Sequence, residues 1–268
     1  MTTVKQLWVR TQRSRQALLS LVVLLVIWEA CVRLLGIRDF LLPAPSKIGG
    51  QFFSQPSYLL MESLDTLRTT LYGFALALVL GVAAAIGIVY SKFLDRTLYS
   101  LLVALNAVPK VALAPLFVIW MGTGVMPKVA IAMLIAIFPI LIDTVLGLRS
   151  TDPDMLDMAR VNHASRAKML WKIRLPNAMP SIFSGMKVGV SFALVGTIVG
   201  EFVAGESGLG HVILVAQGSF DTSTVFVALV LLCLMGVLLF KAIEFAEIRH
   251  LGWHSSQREK PVLSSAPI

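Results

Sequence analysis

Lys110 lies in the apolar stretch Val108-Pro109-Lys110-Val111-Ala112-Leu113. An ammonium at the centre of a membrane costs at least roughly 2.5 kcal/mol on insertion scales, so a cation there needs a counter-charge or a task. With Asn106 about one helical turn earlier, Lys110 is a candidate contact for an anionic or polar solute on a translocation pathway. The alternatives are pairing with a carboxylate or carbonyls, or a helix shifted by Pro109 and Pro115 so that the ammonium reaches an interface. Glu29 and Arg33 are four apart, which places them on one helix face as a local ion pair. Asp143 suits a helix cap or a pair with Arg149, and Glu201 suits a hydrogen bond to a nearby loop.

No constellation of a working enzyme is present. His163, His211, His250 and His254 are scattered, with no His-Glu-x-x-His and no Cys/His cluster of zinc spacing, so no metal site and no cofactor are expected. Cys31 and Cys233 fall inside apolar runs and read as buried thiols. There is no Gly-x-x-x-x-Gly-Lys-[Ser/Thr] phosphate loop, so any ATP chemistry must come from another chain. Gly205-Glu-Ser-Gly-Leu-Gly210 has the wrong spacing for a nucleotide loop and reads as a loop bent back toward the membrane.

The elements that position these residues follow from composition. Of 268 residues, 57% are hydrophobic and 14% charged, against about 25% charged in soluble domains. Apolar stretches of about 20 residues, each long enough for a bilayer core, recur at about 17–35, 67–90, 97–120, 128–148, 179–204 and 222–245. Uninterrupted runs such as Leu18 to Trp28 exclude alternating barrel strands. The expected fold is all-α and integral to the membrane: one six-helix bundle over 17–245, a basic tail over 1–16 and a disordered tail over 246–268.

Basic residues set the orientation. Lys5, Arg10, Arg13 and Arg15 precede the first span; Lys92 and Arg96 follow the second. Arg149, Arg160, Arg166, Lys168, Lys172 and Arg174 lie between the fourth and fifth, and Arg249, Arg258 and Lys260 follow the sixth. The opposite loops contain only Arg38 and Lys47. Both termini are therefore expected in the cytoplasm, and the net charge of +8 reads as topology, not as nucleic-acid binding. Trp28-Glu29-Ala30-Cys31 is no small-residue cleavage site, so the first span is expected to be uncleaved.

The 149–178 loop opens with a helix-start signal, Asp152 as N-cap, Pro153 at the first position, and Asp154 and Asp157 complementing the dipole. Pro176 and Pro180 are expected to close it before the fifth span. Its apolar and small residues among charges fit a membrane-parallel helix covering the bundle end, and equally a helix docking into a groove on a soluble partner. Gly185, Gly189, Gly196 and Gly200, with Ala193, form a small-residue stripe, repeated by Gly73, Ala77, Gly81 and Ala85. Such stripes let helices approach closely, within one subunit or across a dimer.

This loop resembles the signature loop of importer permeases in the ATP-binding-cassette superfamily. Asp157-Met158-Ala159 stands where that family has Glu-Ala-Ala, His163 at its Gly, Ala164 at the following Ala, and Ile173-Arg174-Leu175-Pro176 at the closing Ile-x-Leu-Pro. The family's Gly allows a sharp turn between two short helices, so His163 is expected to turn another way or leave the helix straighter. Leu42-Pro43-Ala44-Pro45-Ser46, Val108 to Leu116, Trp120 to Gly124, Phe138-Pro139-Ile140 and Gly208-Leu209-Gly210 are similar to the branch that carries nitrate, sulfonates, taurine and pyrimidine precursors.

The resemblance implies a permease subunit in the inner membrane, working as a homodimer. Each copy would dock a cytoplasmic ATPase subunit through Asp157, Ala159, His163, Ala164, Leu175 and Pro176, and an extracytoplasmic binding protein would deliver a small polar or anionic solute. An ATP-independent secondary transporter or channel is the alternative.

Overall fold

The computed structural model describes residues 2–96 and 108–251. Every long element is a helix: α1 (Thr2–Leu34), α2 (Pro45–Ser54), α3 (Pro56–Tyr90), α4 (Ala114–Met121), α5 (Val125–Arg149), α6 (Pro153–Val161), α7 (Leu175–Ala204), α8 (Leu209–Gly218) and α9 (Thr222–His250). A 3-10 turn over Lys110–Leu113 precedes α4, and a helical turn (Arg166–Met169) followed by a π-helical turn (Leu170–Arg174) leads into α7.

Among the described residues, four helical stretches are long and apolar enough to cross a membrane: Pro56–Tyr90, Val125–Arg149, Arg166–Ala204 and Thr222–His250. Their outer faces carry large apolar side chains, among them Leu76, Val79, Leu234 and Leu238. Such faces suit lipid, where the backbone is satisfied within each helix and apolar side chains meet apolar chains. Of the expected 97–120 span, residues 97–107 lie outside the described residues, and the remainder is the 3-10 turn and the short α4.

The described residues form two compact units, one drawn from 1–61 and 212–231 and the other from 62–211 and 232–268. In the first, Trp28 packs on Phe226 with ring centroids 5.7 Å apart. Gln51 Nε2 donates to Thr224 Oγ1 at 2.9 Å, and Thr222 Oγ1 donates to the Phe40 carbonyl at 2.7 Å. The expected Glu29–Arg33 pair is present at 2.6 Å, and Glu29 does more than pair. Its Oε2 accepts the Ser46 N–H at 3.0 Å and its Oε1 the Ser46 hydroxyl at 2.7 Å, so it caps α2, whose own N-cap residue Ala44 has no side-chain acceptor.

In the second unit α5 takes a glycine-faced helix on each side. A Cβ on Gly196 would lie 2.7 Å from Ala132 Cα, one on Gly189 2.7 Å from Ile140 Cγ1, one on Gly200 2.8 Å from Lys128 Cα, and one on Gly185 3.0 Å from Asp143 Cβ. From α3, a Cβ on Gly73 would collide with Ala132 Cβ, and one on Gly81 would meet Ile140 Cγ2 at 3.2 Å. Both small-residue stripes therefore press on α5 of the same chain, at separations only hydrogen side chains permit. Ala77, Ala136, Ile140, Val190 and Ala193 make the buried core between them.

Several sequence expectations need correction. Pro180 does not reset the chain: α7 begins at Leu175 and runs through it. The helical stretch from Arg166 is continuous through Pro176 and Pro180, each of which withholds one backbone N–H from the ladder without ending the helix. Residues 246–251 are not part of a disordered tail, because α9 extends to His250. Lys187 pairs with Glu247 at 2.5 Å, His250 stacks on Phe183, and Leu251 is fully buried. Residues 252–268 lie outside the described residues. Cys31 and Cys233 are exposed on apolar helices rather than buried. Arg149 pairs with Asp95, not Asp143; Asp143 instead takes a hydrogen bond from Ser184.

Candidate functional site

The segment between α5 and α7 is built from local signals. Asp152 caps α6, its side chain accepting the Asp154 N–H at 2.9 Å, with Pro153 at the first helical position. Leu156 is buried and anchors the helix, while Met155, Met158 and Val161 are 52%, 69% and 79% exposed. Apolar faces left this open mark places of contact with a partner or with a membrane.

α6 ends at His163, whose φ of 52° is left-handed. The His163 N–H donates to the Arg160 carbonyl at 2.9 Å and the Ala164 N–H to the Ala159 carbonyl at 2.9 Å. These are the two bonds of a Schellman stop, with the half-buried Ala164 following the left-handed residue. The expectation that His163 turns another way is therefore corrected: it takes the glycine-type turn itself, since histidine visits this region more readily than branched residues do. Ser165 then caps the next turn, accepting the Lys168 N–H at 3.2 Å. Asp157 is exposed and pairs with Arg160 at 2.5 Å. Ala159 is half-buried, and Leu175 and Pro176, also half-buried, begin α7.

Lys110 opens the 3-10 turn before α4, and its Nζ stands 4.3 Å from the Phe138 ring centroid. The ring's negative face supplies part of the compensation that an ammonium among apolar groups requires. Asn106 lies outside the described residues, so the pairing of these two remains a sequence expectation.

At the far end of α7 is a polar cluster that the sequence did not assemble. Glu201 is fully buried; its Oε1 accepts the Thr66 hydroxyl at 2.8 Å and its Oε2 the Gly210 N–H at 2.7 Å. Thr66 Oγ1 in turn accepts the Leu209 N–H at 2.8 Å, and Glu62 Oε2 accepts the Gly208 N–H at 2.5 Å. Buried Lys128 donates to the Ser207 carbonyl at 2.9 Å. The loop over residues 205–210 is thus tied through its backbone to α3, α5 and α7. Gly208, at φ 106°, has no room for a Cβ beside the Glu201 carboxylate. A hydrogen bond from Glu201 to a loop was readable from the sequence; Thr66, Glu62 and Lys128 as its companions were not.

Among the described residues no group of His, Cys, Asp and Glu is placed to hold a metal ion.

The family described as binding-protein-dependent transport system inner membrane component matches residues 77–246. The riboflavin transport system permease protein RibX of Chloroflexus aurantiacus is 38% identical over 239 residues, covering 88% of this chain and 89% of that protein. The formylaminopyrimidine transport permease protein ThiX of Halalkalibacterium halodurans is 34% identical, covering 92% and 100%. A putative aliphatic sulfonates transport permease protein, SsuC of Bacillus subtilis, is 30% identical, covering 90% and 88%. In fold, a chain of the inward-facing MetNI methionine ABC transporter superposes with a TM-score of 0.62 at 19% identity, over 73% of this chain and 96% of that one. An all-helical chain with an exposed, capped helix between two of its spans, matched to these permeases over most of its length, belongs to the binding-protein-dependent transport system inner membrane components, the permease subunits of ATP-binding-cassette importers.

Proposed function

We propose that this chain forms the translocation pathway of an importer as one half of a homodimer, each copy docking one ATPase subunit through α6 and the turn at His163. In this family the permease is not itself an enzyme; ATPase activity belongs to a partner, and an extracytoplasmic binding protein supplies the solute. The observation that carries the docking reading is the exposed face Met155, Met158 and Val161 on a helix anchored by Leu156 and stopped by a full set of hydrogen bonds. A rigid, short, apolar-faced helix loses little entropy on entering a groove. Asp157, Ala159, His163, Ala164, Leu175 and Pro176 are the residues of this coupling segment. With the basic loops on the same side, both termini are cytoplasmic and the 205–210 loop faces outward.

The solute is a small organic molecule, and Lys110 beside Phe138 contacts it on the pathway. RibX and ThiX are named for riboflavin and formylaminopyrimidine, both nitrogen heterocycles, and SsuC for aliphatic sulfonates. RibX and ThiX share more identity with this chain than SsuC does, so a nitrogen heterocycle is the first solute to test, and a sulfonate-like anion the second.

The experiment is purification of the tagged protein from its native membrane in mild detergent after light cross-linking, with mass spectrometry of what accompanies it. The expected result is an ATPase subunit and a binding protein, the latter then titrated with riboflavin, formylaminopyrimidine and taurine. A self-oligomer without an ATPase, repeated in several detergents, would overturn the reading in favour of ATP-independent transport.

A further inference from the structure

Where α3 ends, a pocket of about 410 Å³ opens between Tyr90 and the segment that links α6 to α7. Arg160, Arg166 and Arg174 line it, and no carboxylate does among the described residues. Its remaining wall is apolar, made by Val89, Leu156 and Met169. The arginines come from three different places: the last turn of α6, the turn after Ser165, and the π-helical turn Leu170–Arg174. A π turn inside a helix is rare and is found mostly at functional positions.

Tyr90 organises two of them. Its ring lies 5.4 Å from the Arg174 guanidinium carbon, and its hydroxyl donates to the Arg166 carbonyl at 3.3 Å. A cation–π contact of this kind holds the guanidinium without using its N–H donors. Arg160 also pairs with Asp157, which is not part of the lining, so positive charge remains in excess around the cavity.

We propose that this pocket binds the phosphate group of an anionic phosphate ester, supplied by the headgroup of an acidic membrane lipid. Three arginines lining one space can meet the tetrahedral oxygens of a phosphate from several directions, which suits that group better than the single plane of a carboxylate. The lipid source follows from position. Tyr90 is the last residue of a membrane-crossing helix; Phe93, three residues on, and Trp171, in the same π turn as Arg174, are 74% and 64% exposed, as aromatic side chains at a headgroup boundary are. The apolar wall would take the first carbons of the glycerol and acyl region. Basic pockets at helix ends on the cytoplasmic side suit acidic headgroups for the same reason. The inference rests on the chain crossing a membrane and is independent of ATPase docking.

The test uses the full-length protein, delipidated in detergent. Its thermal unfolding midpoint is followed while dioleoylphosphatidylglycerol, dioleoylphosphatidylcholine or sodium phosphate is added. The variants are Arg166→Gln, Arg174→Gln, Arg174→Lys and, as a control on another part of α3, Arg68→Gln. A ligand bound only by the folded state raises the midpoint in a saturable way.

The expected result is a rise with phosphatidylglycerol but not phosphatidylcholine, in the unmodified protein and Arg68→Gln alike. Half-saturation should move to about tenfold higher lipid in Arg166→Gln and Arg174→Gln, and by less in Arg174→Lys. Sodium phosphate producing the same saturable, arginine-dependent rise would uphold the phosphate site and assign it to a soluble ester. An equal lipid response in all variants, or none in the unmodified protein, would overturn the proposal. So would a phosphatidylglycerol-independent protein in which Arg166→Gln lowers only capture of the ATPase subunit, because the pocket would then be a protein interface. Failure of the docking reading is seen separately, as ATPase capture that Met158→Glu leaves unchanged.

Discussion

Glu201 Oε2 accepts the Gly210 backbone N–H at 2.7 Å, so a carboxylate at the end of α7 fixes the start of α8 nine residues further on. The carboxylate is fully buried, and its other oxygen takes the Thr66 hydroxyl. Removing it strands a backbone donor and a hydroxyl away from water, a loss on the order of 3 kcal/mol. Glu201→Ala is expected to lower unfolding stability in detergent by about that much and to speed hydrogen exchange at Gly208 to Gly210. Glu201→Gln, whose amide oxygen still accepts one bond, should keep most of the protection. Unchanged exchange in Glu201→Ala would show that Thr66, Glu62 and Lys128 hold the loop without it.

The two glycine classes make opposite predictions. A Cβ on Gly196 would sit 2.7 Å from Ala132 Cα, so Gly196→Val must push α7 off α5 and should cost about 1–3 kcal/mol by overpacking. Gly50, inside α2, has open space around it, so Gly50→Ala should stabilise by roughly 0.5–1 kcal/mol. Chemical unfolding of both variants in the same detergent checks the contrast.

His163 occupies a left-handed position at a cost of about 1–2 kcal/mol relative to glycine. His163→Gly should recover part of it and raise the unfolding midpoint, whereas His163→Val should lower it. Equal midpoints for all three would mean that the turn is not formed in solution.

Met158 stands on the open face of α6, 69% exposed. Met158→Glu should leave stability within about 0.5 kcal/mol, as exposed substitutions do, and yet sharply reduce recovery of the ATPase subunit in pull-down. Full recovery would remove α6 from the docking surface.

Lys110 beside Phe138 predicts a charge requirement in transport. Lys110→Met should lose solute uptake while expression and ATPase capture persist, and Lys110→Arg should retain measurable uptake. Normal uptake in Lys110→Met would assign the ammonium a packing role.

Much of the 149–178 loop was legible because its signals are local. Asp152 followed by Pro153 specifies a helix start within a few residues, and the structure shows that cap. His163 was misjudged from the same kind of reasoning: the left-handed preference of glycine is a matter of degree, and two backbone hydrogen bonds with an Ala164 that fits behind them hold a histidine there. Pro180 stands inside a helix, because a proline removes only the one N–H it lacks and the packing of α7 on α5 holds the rest of the helix.

What the sequence determined by itself is the solvent of this protein and its helical class, since apolar runs of membrane length are a property of the chain alone. It also marked Gly185, Gly189, Gly196 and Gly200 as a face for close approach. Only the tertiary structure decided what approaches: α5 of the same chain, with α3 on its other side. It likewise brought Thr66 to Glu201 and Ser46 to Glu29, and set Tyr90 against Arg174. Each of those contacts joins residues many positions apart. In lipid every helix satisfies its own backbone, so the polar side chains that link one helix to another leave no periodic trace in the sequence and are chosen when the helices pack.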